Sequence, residues 1–231
     1  MRPEDRRTET QEVAIPINRV TLHGTLGLPP EATAVVLFAH GSGSSRSSVR
    51  NRFVAAELQA VGFATLLFDL LTEEEERVDA QTAHLRFDIG LLAERLVAAT
   101  DWIVQHPAVG ERAVGYFGAS TGAGAALVAA ARRPNRVAAV VSRGGRPDLA
   151  RPVLTQVRAP TLLIVGGLDI PVIQMNEDAM EQMIHSHVKL EIVPGASHLF
   201  EEPGTLERVA VLARDWFTRF LAATSRELTR A

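Results

Sequence analysis

A serine between two glycines is the most informative feature of this chain. Ser120 stands in Gly118-Ala119-Ser120-Thr121-Gly122, after the apolar run 113–117 and before the small-residue run 123–131. A strand that turns sharply into a helix holds its central serine in a strained conformation, and the glycines let neighbouring backbone pass close by. The pattern predicts a nucleophile elbow, which presents the serine hydroxyl above a sheet. We therefore expect an enzyme.

Two further residues complete the chemistry that such a serine needs. Asp169 follows the continuous apolar run 160–167, and His198 follows the alternating run 188–193. Both runs are typical of strands. Serine, then acid, then histidine is the chain order of the α/β-hydrolase triad. We predict that Ser120, Asp169 and His198 are the catalytic residues.

Other residues compete for these roles. Asp148 and Asp69 are alternative acids, but the first lies in the wrong connection and the second follows too early a strand. The spacing of His185 and His187 is compatible with a metal pair. No third ligand of suitable spacing is near, so we interpret both histidines as surface residues and predict no metal site.

Backbone N–H groups must hold the oxyanion that forms when an ester is attacked. The residue after the nucleophile begins the helix, so the N–H group of Thr121 is predicted to be one donor. The loop that begins at His40 follows a predicted strand and is rich in glycine and serine. We predict Ser42 as the second donor, and Gly43 as the alternative donor and a substrate-binding residue. A phosphate-binding role fits the loop less well, because the P-loop lysine is missing.

Arg143 is a candidate for substrate binding. It follows the predicted strand 137–142, and functional groups of an open parallel sheet collect at the carboxyl ends of its strands. Gly144 and Gly145 allow the backbone to turn the side chain toward the site. A guanidinium binds a carboxylate through two parallel hydrogen bonds. The alternative is a structural arginine that pairs with a neighbouring acid such as Asp148.

Composition narrows the class of protein. The chain has 231 residues, 46% of them hydrophobic, which suffices for one hydrophobic core. We therefore expect a single domain over 12–224, with a flexible N-terminus at 1–11 and a C-terminal tail at 225–231. A net charge of -3 and a pI of about 6.2 argue against nucleic-acid binding. The chain contains no cysteine, which excludes disulfides and thiolate nucleophiles. Its charged first residues precede no apolar stretch, so we expect a cytoplasmic protein without a membrane segment.

The hydrophobic patterns predict an α/β fold. Two strands at 12–18 and 20–28 look like an antiparallel pair, and strands then alternate with helices, which gives a mostly parallel sheet covered on both faces. Only one short helix fits between the strands that end near 142 and begin near 160, so no large cap domain is expected. The glutamates 73–76 are interpreted as a solvated loop. The predicted strands are 34–39, 64–70, 113–117, 137–142, 160–167 and 188–193, and the predicted helices are 51–61, 86–106, 123–131, 148–156, 171–184 and 205–222.

These motifs together resemble the dienelactone hydrolase branch of the α/β-hydrolases, over roughly residues 12–222. Two further segments, 67–75 and 142–148, resemble a bacterial subgroup that is sometimes joined to a phosphoribosyltransferase domain. The motifs that carry the family resemblance are His40-Gly41-Ser42-Gly43, the elbow, Asp169 and Gly195-Ala196-Ser197-His198.

The resemblance implies acyl transfer through a covalent intermediate. Ser120 attacks the ester carbonyl, His198 takes its proton as general base, and Asp169 fixes the imidazole tautomer. Water then releases the acyl group, and no metal or organic cofactor is needed. The enzymes that give the family its name use a cysteine nucleophile, so a serine at position 120 favours short-chain or small carboxylic esters over a dienelactone.

Two alternatives stay open. A lactone hydrolase would act on small anionic substrates, and a hydrolase-shaped binding domain would hold a small molecule or a partner chain without turning it over. The intact triad order favours an enzyme. The expected partner is a small-molecule ester, with neither nucleic acid nor membrane, and the sequence leaves the oligomeric state open.

Overall fold

A computed structural model describes residues 8–228, and its centre is one eight-stranded sheet. The strands are β1 (Glu9–Ile17), β2 (Val20–Leu28), β3 (Ala34–Ala39), β4 (Phe63–Phe68), β5 (Ala113–Ala119), β6 (Val137–Arg143), β7 (Thr161–Gly166) and β8 (Val188–Val193). Their order across the sheet is β1-β2-β4-β3-β5-β6-β7-β8. β2 pairs antiparallel with both β1 and β4, and the other neighbouring pairs are parallel. The predicted hairpin and the mostly parallel sheet are confirmed.

Helices cover both faces of the sheet. They are α1 (Val49–Ala60), α2 (Glu73–Thr82), α3 (Ile89–Ile103), α4 (Thr121–Arg132), α5 (Ile170–Gln182) and α6 (Thr205–Leu228), with 3₁₀ helices at Leu85–Phe87 and Pro147–Gln156. Alternate residues of a strand point to opposite faces. Phe38 and Phe117 therefore pack in the core under α1 and α6, and Leu37 and Tyr116 pack in the core under α3 and α4. No helix within residues 8–228 has an apolar stretch long enough to cross a bilayer.

The prediction of a solvated loop at 73–76 is wrong, because these glutamates form the first turn of α2. Thr72 and Glu75 form a capping box: the Glu75 N–H group donates to Thr72 Oγ1 at 3.2 Å, and the Thr72 N–H group donates to Glu75 Oε2 at 2.7 Å. Acidic side chains at a helix N-terminus also interact favourably with the helix dipole. The Thr-x-x-Glu spacing was the available signal for this helix.

Two predicted boundaries also need correction. β1 begins at Glu9, so residues 9–11 belong to the sheet and not to a flexible N-terminus. These residues are polar, but β1 pairs with β2 through backbone hydrogen bonds, which need no apolar side chain. Similarly, α6 continues to Leu228, beyond the start of the predicted tail at 225. Residues 1–7 and 229–231 of the two predicted segments lie outside the described residues.

The packing of α6 on the middle of the sheet yields a stability prediction. A Cβ atom at Gly115 of β5 would lie 2.7 Å from Phe217 Cε1 and 3.1 Å from Leu221 Cδ1. Both side chains are buried in a filled core, so extra volume there forces a shift. We expect Gly115→Ala to lower the free energy of unfolding by about 1–3 kcal/mol in urea titrations.

The matched control is the same substitution at an exposed helical position. Gly90 lies in the first turn of α3, where Gly→Ala is expected to be neutral or stabilising by up to about 1 kcal/mol. Equal free energies of unfolding for the Gly115→Ala and Gly90→Ala proteins would contradict the packing argument.

Candidate active site

Ser120 lies at the sharp turn between β5 and α4. Its backbone has φ 51° and ψ -120°, a conformation that non-glycine residues rarely adopt. A Cβ atom at Gly118 would lie 2.8 Å from the Ala123 nitrogen, and one at Gly122 would lie 2.6 Å from the Ala39 carbonyl carbon. Neither close approach tolerates a side chain. The two glycines therefore permit the elbow that the sequence predicted.

Asp169 and His198 are in direct contact. His198 Nδ1 lies 2.6 Å from Asp169 Oδ2, which is hydrogen-bond distance. Asp169 immediately precedes α5, but its side chain does not cap that helix, so the carboxylate faces the histidine. A Cβ atom at Gly166, where β7 ends, would lie 2.5 Å from the carbonyl oxygens of Ala196 and Ser197. This glycine lets the histidine loop reach the aspartate.

The last residue of β6 and the glycine after it contact the serine and the histidine, respectively. The Ser120 N–H group donates to the Arg143 carbonyl at 3.2 Å. Gly144 has φ 51°, and a Cβ atom there would lie 3.5 Å from both Nδ1 and Cε1 of the His198 ring. Ser120, Asp169 and His198 are therefore gathered at one edge of the sheet. Within residues 8–228, the half-exposed Ser120 hydroxyl makes no hydrogen bond; in free enzymes the bond from nucleophile to base is often long.

The loop that carries His198 is fixed by a carboxylate. The Ser197 N–H group donates to Glu202 Oε2 at 3.0 Å. This bond to the charged form lowers the pKa of Glu202. Phe200 lies between Ser197 and Glu202 in the sequence, has φ 56° and is buried. The loop is therefore held by core packing as well as by this hydrogen bond.

The competing acids are bound elsewhere. Asp148 receives two hydrogen bonds from the Arg146 guanidinium, at 2.8 and 2.7 Å. Asp69 accepts the Arg46 N–H group at 2.8 Å and also pairs with the guanidinium of that residue. Neither carboxylate contacts the histidine. The alternative in which Asp148 pairs with Arg143 is wrong, because Asp148 is paired with Arg146.

The predicted oxyanion loop lies against the elbow. A Cβ atom at Gly41 would be 3.1 Å from the Ser120 Cβ atom. The Ser42 N–H group donates to Thr121 Oγ1 at 2.9 Å, so this amide already has a partner. Gly43 has φ 69°, and a Cβ atom there would meet no other side chain or backbone within 4 Å. The assignment of the two donors stays a prediction, and the Thr121 hydroxyl is a contact that the sequence did not indicate.

His40 attaches this loop to the end of β4. Its Nε2 atom accepts the Leu70 N–H group at 3.1 Å, and Nδ1 lies 3.0 Å from the Gly41 carbonyl oxygen. Nδ1 must therefore carry the proton of a neutral ring, because a carbonyl can only accept. Burial is the main cause that lowers the pKa of His40. The ring is a neutral structural brace for the loop.

A cavity of about 420 Å³ opens beside the loop. One wall is the serine-rich segment 41–48 with Thr121, and another contains the apolar Leu70, Leu71 and Leu92. α2 supplies Glu76 and Asp79, which sequence reasoning missed because it placed no helix there. Burial, followed by the nearby Asp69 charge, raises the pKa of the Glu76 carboxyl.

Arg143 does not line this cavity. Its side chain is buried, with 7% of the residue exposed, and its Cζ atom lies 5.8 Å from the centre of the Phe200 ring. Within residues 8–228 the guanidinium has neither an ion pair nor a hydrogen bond. Burial, with a contribution from Arg50, lowers the pKa of Arg143 to about 10. The sequence prediction placed this arginine near the site, and its backbone does border Ser120 and His198.

Comparisons with known proteins agree with this geometry. The sequence profile of the dienelactone hydrolase family matches residues 22–223. The chain is similar to a dienelactone hydrolase from Anabaena variabilis of known crystal structure, with 62% sequence identity and a TM-score of 0.91. The match covers 93% of this chain and 99% of that one. Est1E from Butyrivibrio proteoclasticus shares the fold, with 16% identity, a TM-score of 0.74, and coverage of 90% of this chain and 98% of that one.

A Mycobacterium tuberculosis protein is also similar. It is 58% identical over 215 residues and carries the provisional name of a phosphoribosyl transferase. The match covers 93% of this chain but 47% of that protein. The chain therefore spans about half the length of the curated relatives it matches.

The role of His40 yields a prediction about pH. An unfolded histidine takes up a proton below its ordinary pKa of 6.5, whereas burial lowers the pKa of folded His40. The stability that neutral His40 supports is therefore complete above pH 6.5 and is lost as the pH falls below that value. Between about pH 7 and pH 5, we expect the free energy of unfolding to fall more steeply for the natural protein than for His40→Gln, by at most about 1.4 kcal/mol per pH unit.

Urea titrations at about pH 7, 6 and 5 measure this difference. His84→Gln is the control, because His84 is exposed and its side chain makes no cap hydrogen bond. Parallel pH profiles for the natural protein and His40→Gln would show that His40 is not held neutral.

Proposed function

The chain belongs to the dienelactone hydrolase family, and we propose that it is a serine carboxylesterase that cleaves small carboxylic esters through an acyl-enzyme. The observation that carries this proposal is the 2.6 Å contact between His198 and Asp169 at the sheet edge where Ser120 occupies a strained elbow. A serine, an imidazole and a carboxylate at one edge are the groups that acyl transfer requires.

In the proposed mechanism, Ser120 Oγ attacks the ester carbonyl and His198 Nε2 takes the hydroxyl proton. Asp169 accepts from His198 Nδ1, which fixes the tautomer that leaves Nε2 free to act as base. The imidazolium then protonates the leaving alcohol, and a water molecule repeats the sequence on the acyl-enzyme.

The oxyanion would be held by backbone N–H groups. The Thr121 amide begins α4, where free N–H groups and the helix dipole favour negative charge. The second donor is the Ser42 or the Gly43 amide. Ser42 would exchange its bond to Thr121 Oγ1 for one to the oxyanion, whereas Gly43 would need no exchange, so the geometry favours Gly43 more than the sequence did.

The short connection after β6 is one reason to expect small substrates. Between β6 and β7 the chain forms only the 3₁₀ helix Pro147–Gln156, which leaves no cap over the serine. The neighbouring cavity of about 420 Å³ offers limited room for an acyl or alcohol group. A longer acyl tail would stay in water and would not gain the roughly 0.8 kcal/mol that burial of each methylene gives.

The central test replaces the nucleophile. We expect Ser120→Ala to abolish hydrolysis of 4-nitrophenyl acetate and butyrate, a fall of about 10⁶-fold in kcat, while circular dichroism and the urea midpoint stay unchanged. The hydroxyl is half-exposed and without a hydrogen bond within the described residues, so its removal opens no cavity. Substantial turnover by the folded Ser120→Ala protein would reject the esterase proposal, and so would a natural protein that binds esters without hydrolysing them.

A second substitution tests the acid. Asp169→Asn is expected to lower kcat by about 10³- to 10⁴-fold, because an amide in this place favours the wrong imidazole tautomer. Asp148→Asn is the matched control, since that carboxylate binds Arg146 and does not touch His198. If Asp148→Asn were the more damaging of the two changes, Asp169 would not be the catalytic acid.

A further inference from the structure

The cavity beside the oxyanion loop contains a carboxylate that no cation neutralises. Glu76 of α2 belongs to the wall of this cavity of about 420 Å³. Within residues 8–228 its side chain makes neither an ion pair nor a hydrogen bond. The residue is exposed, so a ligand that enters the cavity can meet the carboxylate directly.

The acids around Glu76 are, in contrast, mostly paired with arginines. Asp79, which also lines the cavity, is 3% exposed and pairs with Arg86 at 2.5 Å. Asp69 pairs with Arg46. The charged residues of the cavity wall are two carboxylates and one guanidinium, so one negative charge is left over.

The surroundings of Glu76 favour the arrival of a cation. Partial burial, followed by the charges of Asp69, Glu73 and Asp79, raises the pKa of the Glu76 carboxyl, and Arg46 opposes this shift. Such a shift means that the charged form of the carboxylate is disfavoured as long as no cation is present. A positively charged ligand in the cavity would relieve this repulsion.

The donor set of the cavity fits an organic cation better than a metal ion. Within residues 8–228 no group of three or more His, Cys, Asp and Glu residues is placed to hold a metal. The wall offers leucine side chains, which pack against an alkyl chain, and serine hydroxyls, which accept hydrogen bonds. These residues are Leu70, Leu71, Leu92, Ser42, Ser44, Ser45, Ser47 and Ser48.

The same wall distinguishes between kinds of organic cation. No Phe, Tyr or Trp of the described chain lines the cavity, so it lacks the aromatic faces that bind quaternary ammonium groups. A primary ammonium instead needs hydrogen-bond acceptors for its N–H groups. The Glu76 carboxylate can accept one of them, and serine hydroxyl oxygens of the loop can accept others.

The cavity also reaches the proposed nucleophile. Gly41 and Thr121 are part of its wall; Thr121 follows Ser120 directly, and a Cβ atom at Gly41 would lie 3.1 Å from the Ser120 Cβ atom. In the sheet order β4-β3-β5, the segments that form the cavity lie on the β3 side of the serine. An ester bound at Ser120 can therefore extend its acyl part or its alcohol part into the cavity.

We propose that this cavity binds a primary ammonium group carried by the ester substrate, and that Glu76 is the residue that recognises its charge. The inference rests on the proposed esterase function and adds a substrate class, esters whose acyl or alcohol part ends in an amine. Glu76 is then a specificity-determining residue that takes no part in acyl transfer.

The kinetic test uses two pairs of esters, each differing by one charged group. 4-Nitrophenyl 6-aminohexanoate ends in an ammonium where 4-nitrophenyl heptanoate ends in a methyl group, and 6-aminohexyl butyrate with heptyl butyrate makes the same comparison on the alcohol side. In at least one pair, Glu76→Gln should lower kcat/KM for the ammonium ester by about 5- to 10-fold, between the values for a screened surface ion pair and a buried charged hydrogen bond. The neutral ester of that pair should be unaffected. Equal effects on the two members of both pairs would overturn the proposal.

Two further variants separate direct contact from a general effect of charge. Glu73 is a matched control, because it is an exposed acid of the same helix turn but does not line the cavity. Glu73→Gln should change the ratio of the two rates by less than about 2-fold, as expected for a solvent-screened charge. Glu76→Asp keeps the charge on a shorter side chain and should retain part of the preference. If Glu73→Gln lowered the preference as much as Glu76→Gln, the assignment to Glu76 would be wrong.

A binding measurement is independent of turnover. Hexylammonium contains no ester bond, so the natural protein can be titrated with it and followed by NMR. The affinity should be at least about 3-fold higher for the natural protein than for Glu76→Gln, and 1-hexanol should bind both proteins alike. This difference would reveal the ammonium site even if the natural protein hydrolysed no ester. Equal affinities of hexylammonium, or no binding to either protein, would reject the site even if the esterase function held.

Discussion

The close approach of backbones around Ser120 is the constraint on which the rest of the site depends. Gly118 and Gly122 leave no room for a Cβ atom, and Gly41 lies against the serine side chain. This contact brings the end of β3, the end of β5 and the start of α4 together. The φ of 51° at Ser120 costs about 1–3 kcal/mol, and it persists because β5 is hydrogen-bonded to β3 and β6 on its two sides.

The ion pairs of two other aspartates support the proposal that Asp169 is the acid of the triad. Three aspartates follow strands or loops near this edge, and two of them are occupied by arginines: Asp69 by Arg46 and Asp148 by Arg146. Asp169 makes its contact with His198 instead. A carboxylate already bound to a guanidinium is a weaker partner for an imidazolium, which favours Asp169 as the proposed acid.

Strong local patterns made the fold and the central residues predictable, and long-range contacts did not. The strands β3 to β7 are buried on both faces, so their continuous apolar runs showed them clearly, whereas the partly exposed β8 was shown by its alternation. The helix α2 was not predicted, because it is mostly polar and carries no apolar stripe; only its capping box indicated a helix. The bond from Ser42 to Thr121 joins residues 79 apart, and the pairing of Asp148 with Arg146 instead of Arg143 is a choice between near neighbours. Neither follows from residue types alone.

The proposed catalytic residues and the cavity wall come from different connections of this sheet. The ends of β5, β7 and β8 carry the serine, the acid and the histidine, and close glycine contacts hold two of these turns rigidly. The connection after β4 instead carries α2, which forms part of the cavity wall, and β6 ends at the buried Arg143. Variation after β4 would therefore reshape the cavity while leaving the proposed acyl-transfer groups in place.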